Sequence, residues 1–152
     1  LPLGEISSLN RLLKTSDFSS NREVQSLVAA FESSTITPSQ FPHTAHLAVA
    51  LSYLAEMPLA EATARMRTSL LRFTSHHGVN VYRETLTTFW MRLLAHIVSN
   101  GYRDLPLWRR INLIVDRWGT AAPIEAHYST ELIRSAAARR EWVAPDRLPI
   151  PF

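Results

Sequence analysis

The sequence contains no cysteine. Disulfide bridges, thiolate metal sites and a cysteine nucleophile are therefore excluded, and a cysteine-free chain is compatible with the cytoplasm. Glycine is also scarce, with four residues in 152. The sequence has neither a G-x-S-x-G nucleophile elbow nor a glycine loop that could cradle a phosphate. Nucleotide-binding folds built on such loops are therefore not expected.

Long hydrophobic runs are absent as well. A membrane-spanning helix needs roughly 20 apolar residues, but the apolar stretch 45–60 is interrupted by His46, Glu56 and Pro58. The segment LPLGEISSLNRLL at residues 1–13 lacks the basic start and the apolar run of a signal peptide. We therefore expect a cytoplasmic protein with no membrane partner.

Lysine is nearly missing, since Lys14 is the only one, and arginine therefore carries almost all the positive charge. The formal net charge is +3. Arginine pairs well with carboxylate and phosphate, so the charge permits an anionic partner. Nucleic-acid-binding proteins usually concentrate basic residues on one face. Here the arginines are scattered among acidic residues, so nucleic-acid binding is not expected.

Hydrophobic residues make up 46% of the chain and charged residues 19%, as is typical of a globular protein. The length of 152 residues suits one domain. Apolar residues recur with the helical period, and glycine and proline fall between the periodic segments. The spacing predicts helices over residues 5–14, 21–32, 42–57, 59–76, 82–99, 106–118 and 129–140.

These segments predict an all-α fold, a single-domain bundle of about six or seven helices over residues 1–152. Residues 82–99 are apolar around most of the helix, which predicts a central position in the bundle. Residues 1–20 would contain a peripheral N-terminal helix. Residues 141–152 are too rich in proline for regular structure and predict an extended tail, anchored by Trp142 and Phe152.

Two histidines, His43 and His46, stand at the head of a helical segment that is otherwise apolar. Their spacing of three residues places both on one helix face, which Leu47, Ala50 and Leu51 continue. Both imidazoles should therefore point inward at a first turn, where the helix dipole lowers the pKa of a histidine. Neutral imidazole is the form that binds metals or acts as a base.

A second polar turn, Tyr82-Arg83-Glu84-Thr85, opens the predicted helix 82–99. Short loops favour antiparallel neighbours, so helices 42–57 and 82–99 should start at the same end of the bundle. The sequence therefore predicts one small-molecule site in which imidazoles act as base or ligand, Arg83 binds an anion and Glu84 orients a histidine or Arg83. Its candidate ligand-binding residues are His43, His46, Tyr82, Arg83 and Glu84.

Two other interpretations of these residues stay open. The histidines could be structural, each bonded to a main-chain oxygen, with Glu84 serving the helix dipole. Alternatively His43, His46 and Glu84 could bind a divalent metal ion, although an H-x-x-H pair alone is a weak motif. The sequence does not decide whether the site is enzymatic.

Three blocks of sequence support a resemblance. Phe41, His43, His46 and Leu47 fit a Phe-x-His-x-x-His-Leu pattern, and residues 82–87 fit Tyr-His-Glu-Thr-[Leu/Ile]-Thr except at Arg83. A C-terminal block includes Tyr-Ser, Ala-Arg and Trp-Val-x-Pro-Asp, at Tyr128, Ser129, Ala138, Arg139, Trp142, Val143, Pro145 and Asp146. In these blocks the chain resembles a family of uncharacterised bacterial all-helical proteins. The resemblance implies a helical fold and a site, but no reaction.

The departure at Arg83 bears on the site. Where the family pattern has histidine, an arginine removes a third imidazole and favours a carboxylate or phosphate ligand. A different hypothesis is a non-catalytic interaction module, suggested by the four tryptophans, the arginines and the proline-rich tail. A homodimer in which the tail crosses to a second copy is a third.

Overall fold

The structure, a computed structural model, describes residues 17–152. The helix predicted over residues 5–14, and with it most of the N-terminal segment 1–20, lies outside the described residues. Five long helices form the body: α1 (Asn21–Glu32), α2 (His43–Glu56), α3 (Leu59–His76), α4 (Glu84–Ser99) and α5 (Leu107–Trp118). Residues 17–152 contain no strand, so the prediction of an all-α bundle is confirmed.

Three short helices follow: α6 (Ala122–His127), α7 (Thr130–Ile133) and α8 (Ala136–Arg140). The prediction of one helix over residues 129–140 is wrong, and α6 was not predicted. The segment divides because serine hydroxyls accept hydrogen bonds from the main chain and start new helices. Ser129 caps α7 through Leu132 N, and Ser135 caps α8 through Ala138 N.

The caps and turns between the long helices occur at the residue types that favour them in the sequence. Ser20 caps α1 by accepting a hydrogen bond from Glu23 N at 3.3 Å. Gly78 follows α3 with φ +65°, a left-handed conformation that glycine adopts without strain. Hydrogen bonds from Gly78 N to Ser75 O and from Val79 N to Thr74 O complete a Schellman motif. This turn directs the chain into residues 79–83.

Helix α4 begins at Glu84, two residues later than the predicted start. Arg83 is its N-cap residue, with φ −136° and ψ 113°, and no side chain caps the helix. Asn80, a residue type that often caps helices, has no capping role here. Residues 79–83 have no regular secondary structure. The hydroxyl of Tyr82 donates a hydrogen bond to Glu84. Side-chain contacts of this kind hold Tyr82 and Arg83 outside the helix, although their sequence pattern is helical.

Helix α2 is packed against all four other long helices. Its alanines are small enough to let neighbouring helices approach closely, and most of the helix is buried, including Ala45, Leu47, Ala48, Val49, Ala50 and Leu51. The apolar helix α4 packs against α2, α3 and α8. Among the helices of residues 17–152, none combines the length and the apolar character needed to cross a membrane.

The tail after α8 has no helix or strand and lies on the body, as predicted. Trp142 is stacked under the guanidinium of Arg92 at 4.5 Å, and the Phe152 ring stacks on His96 with centroids 5.6 Å apart. Polar contacts add to these anchors. Tyr128 donates to Val143 O at 2.7 Å. Both oxygens of Asp146 accept hydrogen bonds from Ser129, from N at 2.8 Å and from Oγ at 2.5 Å.

Thr85 fastens the tail to the start of α4. The residue is fully buried. Its hydroxyl donates to Glu141 O at 2.7 Å and accepts from Val143 N at 3.0 Å. One side chain thus satisfies two main-chain groups of the tail. Thr85, Tyr128, Ser129, Val143 and Asp146 all belong to the resemblance blocks, and in this structure they hold the tail in place.

We predict that Thr85→Val destabilises the protein by about 1–3 kcal/mol, because two partly buried main-chain groups lose their partner while the side-chain shape is kept. Urea unfolding measures the change. Amide exchange at Val143 should become faster as well. Thr68→Val is the matched control, since Thr68 is exposed on α3, and its effect should stay within about 0.5 kcal/mol. Equal effects of the two substitutions would contradict this role of Thr85.

Candidate functional site

The first two turns of α2 form one wall of a cavity. His43, His46, Leu47 and Ala50 follow the spacing i, i+3, i+4, i+7, which places them on one helix face. All four line a cavity of about 210 Å³ that opens to solvent. Both histidines therefore line one cavity, as their shared helix face predicted, and His43 remains solvent-exposed there. We call this space the histidine cavity.

The opposite walls of the histidine cavity come from α3 and α4. They are almost entirely apolar, with one hydroxyl, and consist of Met66, Leu70, Leu86, Thr87, Trp90 and Met91. The ring of His43 meets that of Trp90 edge to face, with centroids 4.6 Å apart. The starts of α2 and α4 thus lie at the same end of the bundle, in agreement with the sequence prediction.

A second cavity of about 210 Å³ adjoins the first. The two share His46, Leu70, Leu86 and Thr87 as lining residues. The rest of its wall includes Phe41, Phe73 and the segment 79–83 that follows the Gly78 turn. Arg83 is the one charged side chain among its lining residues. We call this space the arginine cavity.

His46 stands between the two cavities as a neutral imidazole. Its Nδ1 donates to Pro42 O at 3.0 Å, which leaves Nε2 as the unprotonated acceptor. No hydrogen-bond partner for Nε2 is found among the described residues. Burial lowers the pKa of His46 to about 4, against a smaller opposing effect of the Pro42 carbonyl. At neutral pH the ring therefore accepts hydrogen bonds and carries no charge.

His43 lies closer to the opening of the histidine cavity. The partial burial of its ring against the cavity wall lowers the pKa of His43 too. Its solvent-exposed side chain has no hydrogen bond within residues 17–152, and its ring edge rests on Trp90. His43 thus supplies a second neutral polar group at the rim of an otherwise apolar wall.

Glu84 lies outside both cavities. Arg67 holds its carboxylate from α3, with Arg67 Nε 2.9 Å from Oε2 and an Arg67 terminal nitrogen 2.5 Å from Oε1. The hydroxyl of Tyr82 donates to the same carboxylate. The hydrogen bonds from Arg67 are the main reason why the pKa of Glu84 is lowered. Glu84 therefore contacts Arg67 and Tyr82, and not the histidine or Arg83 that it was predicted to orient.

Tyr82 forms the partition between these charged groups and the arginine cavity. Its side chain lines that cavity, while its hydroxyl faces Glu84 on the other side. Burial, followed by the bond to Glu84, raises the pKa of Tyr82. Four of the five predicted residues (His43, His46, Tyr82 and Arg83) thus border the two cavities, and Glu84 does not.

The three metal candidates do not converge. Within residues 17–152 no group of three histidine, aspartate or glutamate side chains is placed to hold a metal ion. The carboxylate of Glu84 is already bound by a guanidinium and a phenol. The two histidines alone would be an incomplete ligand set for the metals that imidazole prefers.

The wall residues of α3 and α4 were missed as site residues. Sequence patterning assigned Leu86, Trp90 and Met91 to the apolar core, and it did not separate a core face from a cavity wall. Thr87 carried a usable signal, because it is a hydroxyl residue within an otherwise apolar helix face. Comparison of the chain with family models, curated proteins and solved structures finds no match. The resemblance to bacterial helical proteins stays a prediction.

We predict that His46 makes the stability of the protein depend on pH. An unfolded histidine has a pKa near 6.5, whereas that of folded His46 is about 4. The unfolded state therefore binds more protons between these values, so stability is complete above pH 6.5 and falls as the pH decreases toward 4. The loss attributable to His46 between pH 7 and pH 5 should be about 2 kcal/mol.

His46→Gln should remove that part of the pH dependence, because glutamine can still donate to Pro42 O but does not titrate. Urea unfolding of both proteins at pH 7 and pH 5 measures it. His43 is unchanged in the variant, so a smaller dependence should persist. A folded-state titration of His46 near pH 6.5 by NMR would contradict the prediction.

Proposed function

We propose that the protein binds a small organic molecule at the common end of α2 and α4, with the apolar part of the ligand in the histidine cavity. The observation that carries the proposal is the pair of adjoining hollows with mostly apolar walls and a few convergent polar groups. Such hollows are the usual form of small-molecule sites. His46 and Thr87 supply hydrogen-bonding groups where the hollows adjoin.

Hydrogen bonding would orient the ligand. The Nδ1–H of His46 is engaged by Pro42 O, so its Nε2 is available to accept a proton donor from the ligand. The hydroxyl of Thr87 can donate or accept. These groups are neutral, so they would select a ligand by its hydrogen-bonding pattern without attracting a charge of either sign.

The chemistry of His46 favours binding over catalysis. A general base works best when its pKa lies near the working pH, whereas the pKa of His46 is about 4. Such an imidazole is a weak base at neutral pH. A metal-dependent reaction has little support, because Glu84 is directed toward Arg67 and Tyr82. We therefore propose a binding role and assign no reaction.

The hypothesis of an interaction module depended partly on the four tryptophans. Trp90 is buried, and Trp108, Trp118 and Trp142 are at least partly buried. Trp142 packs against Arg92. Surface tryptophan therefore does not favour an interface, and the interaction and homodimer hypotheses stay predictions.

We predict that n-octanol, a neutral eight-carbon probe, binds in the histidine cavity. The chain has three methionines. Met66 and Met91 line this cavity, whereas Met57 follows the far end of α2. With ¹³C-labelled methionine methyl groups, octanol should shift the NMR signals of Met66 and Met91 and leave that of Met57 in place.

Ala50→Leu should abolish these shifts, because the larger side chain fills the cavity that Ala50 lines. Ala64→Leu is the matched control, since Ala64 is exposed on α3 and lines neither cavity. The control should bind octanol like the unaltered protein. Octanol that leaves Met66 and Met91 unshifted, or that binds Ala50→Leu equally well, would refute the proposed site.

A further inference from the structure

We infer that the ligand is a monocarboxylic acid with an apolar body, held with its carboxylate on Arg83 in the arginine cavity and its body in the histidine cavity. This inference rests on the proposed function, because it names the ligand class and the direction in which the ligand lies. Four features of the site carry it: the absence of an ion pair of Arg83 within residues 17–152, the separation of Glu84, the single charge of the cavity and the lining residues that the two adjoining hollows share.

Arg83 has no anionic partner among the described residues. It is partly buried, and its one hydrogen bond runs from a guanidinium nitrogen to Ile133 O at a long 3.4 Å. The ion pairs of residues 17–152 involve Arg65 and Arg67 instead. A guanidinium beside apolar walls is stabilised by an anion, and its fork suits a carboxylate with two parallel hydrogen bonds.

The nearest acidic side chain in the sequence is prevented from serving as that anion. Glu84 adjoins Arg83 along the chain, but Arg67 and Tyr82 hold its carboxylate outside the arginine cavity. Arg83 is also the N-cap residue of α4, which no side chain caps. The positive end of the helix dipole therefore adds to the charge of Arg83 and does not offset it.

The charge of the cavity favours a single negative charge on the ligand. Arg83 is the one charged lining residue, and His46 is neutral at pH 7. A carboxylate would balance one guanidinium. A phosphate monoester carries about −1.5 to −2 at pH 7 and would leave negative charge beside apolar walls. An arginine alone can bind either anion. The single charge of this lining favours the carboxylate over the phosphate monoester.

The position of the histidine cavity determines where the apolar body of the ligand lies. The hollows meet at His46, Leu70, Leu86 and Thr87. Beyond that junction lie Met66 and Met91, with no charged group in the lining. A ligand with its carboxylate on Arg83 would therefore extend past His46 and place an alkyl or aryl body between the two methionines.

The experiment compares three eight-carbon probes that share one tail: octanol, octanoate and octyl phosphate. Each is titrated into protein with ¹³C-labelled methionine methyl groups, at pH 7, and the signals of Met66 and Met91 report binding. Octanoate should bind about tenfold more tightly than octanol, as a charge-assisted hydrogen bond contributes. Octyl phosphate should bind more weakly than octanoate.

Arg83→Gln should remove the preference for octanoate and leave the affinity for octanol within about twofold, since the apolar walls are intact. Arg109→Gln is the control: it removes the same charge from an exposed position on α5 and should keep the preference. Arg83→Lys retains the positive charge and should keep part of the preference. If Arg83→Gln does not fold, Arg83→Lys tests the carboxylate assignment in its place.

Each outcome bears on one claim. Octanoate that binds no better than octanol, or a preference that survives in Arg83→Gln, overturns the carboxylate assignment while octanol binding still supports the proposed site. Octyl phosphate that binds as tightly as octanoate overturns the single charge. Failure of all three probes to shift Met66 and Met91 overturns the proposed function itself.

Discussion

The site depends on how α2 packs along α4. Trp90 meets His43 at the rim, and about two turns further along α2 the wall is formed by Ala50. A small side chain at that position leaves space that a larger residue would fill, and Thr87 on the opposite helix is also short. Close packing elsewhere in the core makes this space a defined hollow. The same packing places both histidines in the lining of the hollow.

A single aromatic residue, Tyr82, lies between the charges of Arg83 and Glu84. Tyr82 separates the arginine cavity from the carboxylate of Glu84, to which its hydroxyl donates. Arg67 neutralises that carboxylate from α3. Two residues of opposite charge, adjacent in the chain, thus face different surroundings. Arg83 therefore has no acidic partner within residues 17–152, because the carboxylate of Glu84 is bound by Arg67.

The tail connects the stability of the fold with the geometry of the site. Thr85 begins the buried face of α4, and its hydroxyl binds both Glu141 O and Val143 N. Arg92 and Trp142 add a second contact between α4 and the tail. Helix α4 is therefore held against the tail. These contacts lie close in the chain to Arg83 and Thr87, which line the arginine cavity.

The sequence by itself determined the helical class, four of the five long helices to within one residue at each end, and the shared face of His43, His46, Leu47 and Ala50. These features follow from local periodicity and capping, which need only near neighbours in the chain. Packing among distant segments decided the start of α4 at Glu84, the partner of Glu84 and the wall formed by Met66, Trp90 and Met91. Local pattern marks such residues as apolar or charged, but only the arrangement of the helices decides whether an apolar residue fills the core or borders a hollow, and which charge meets which.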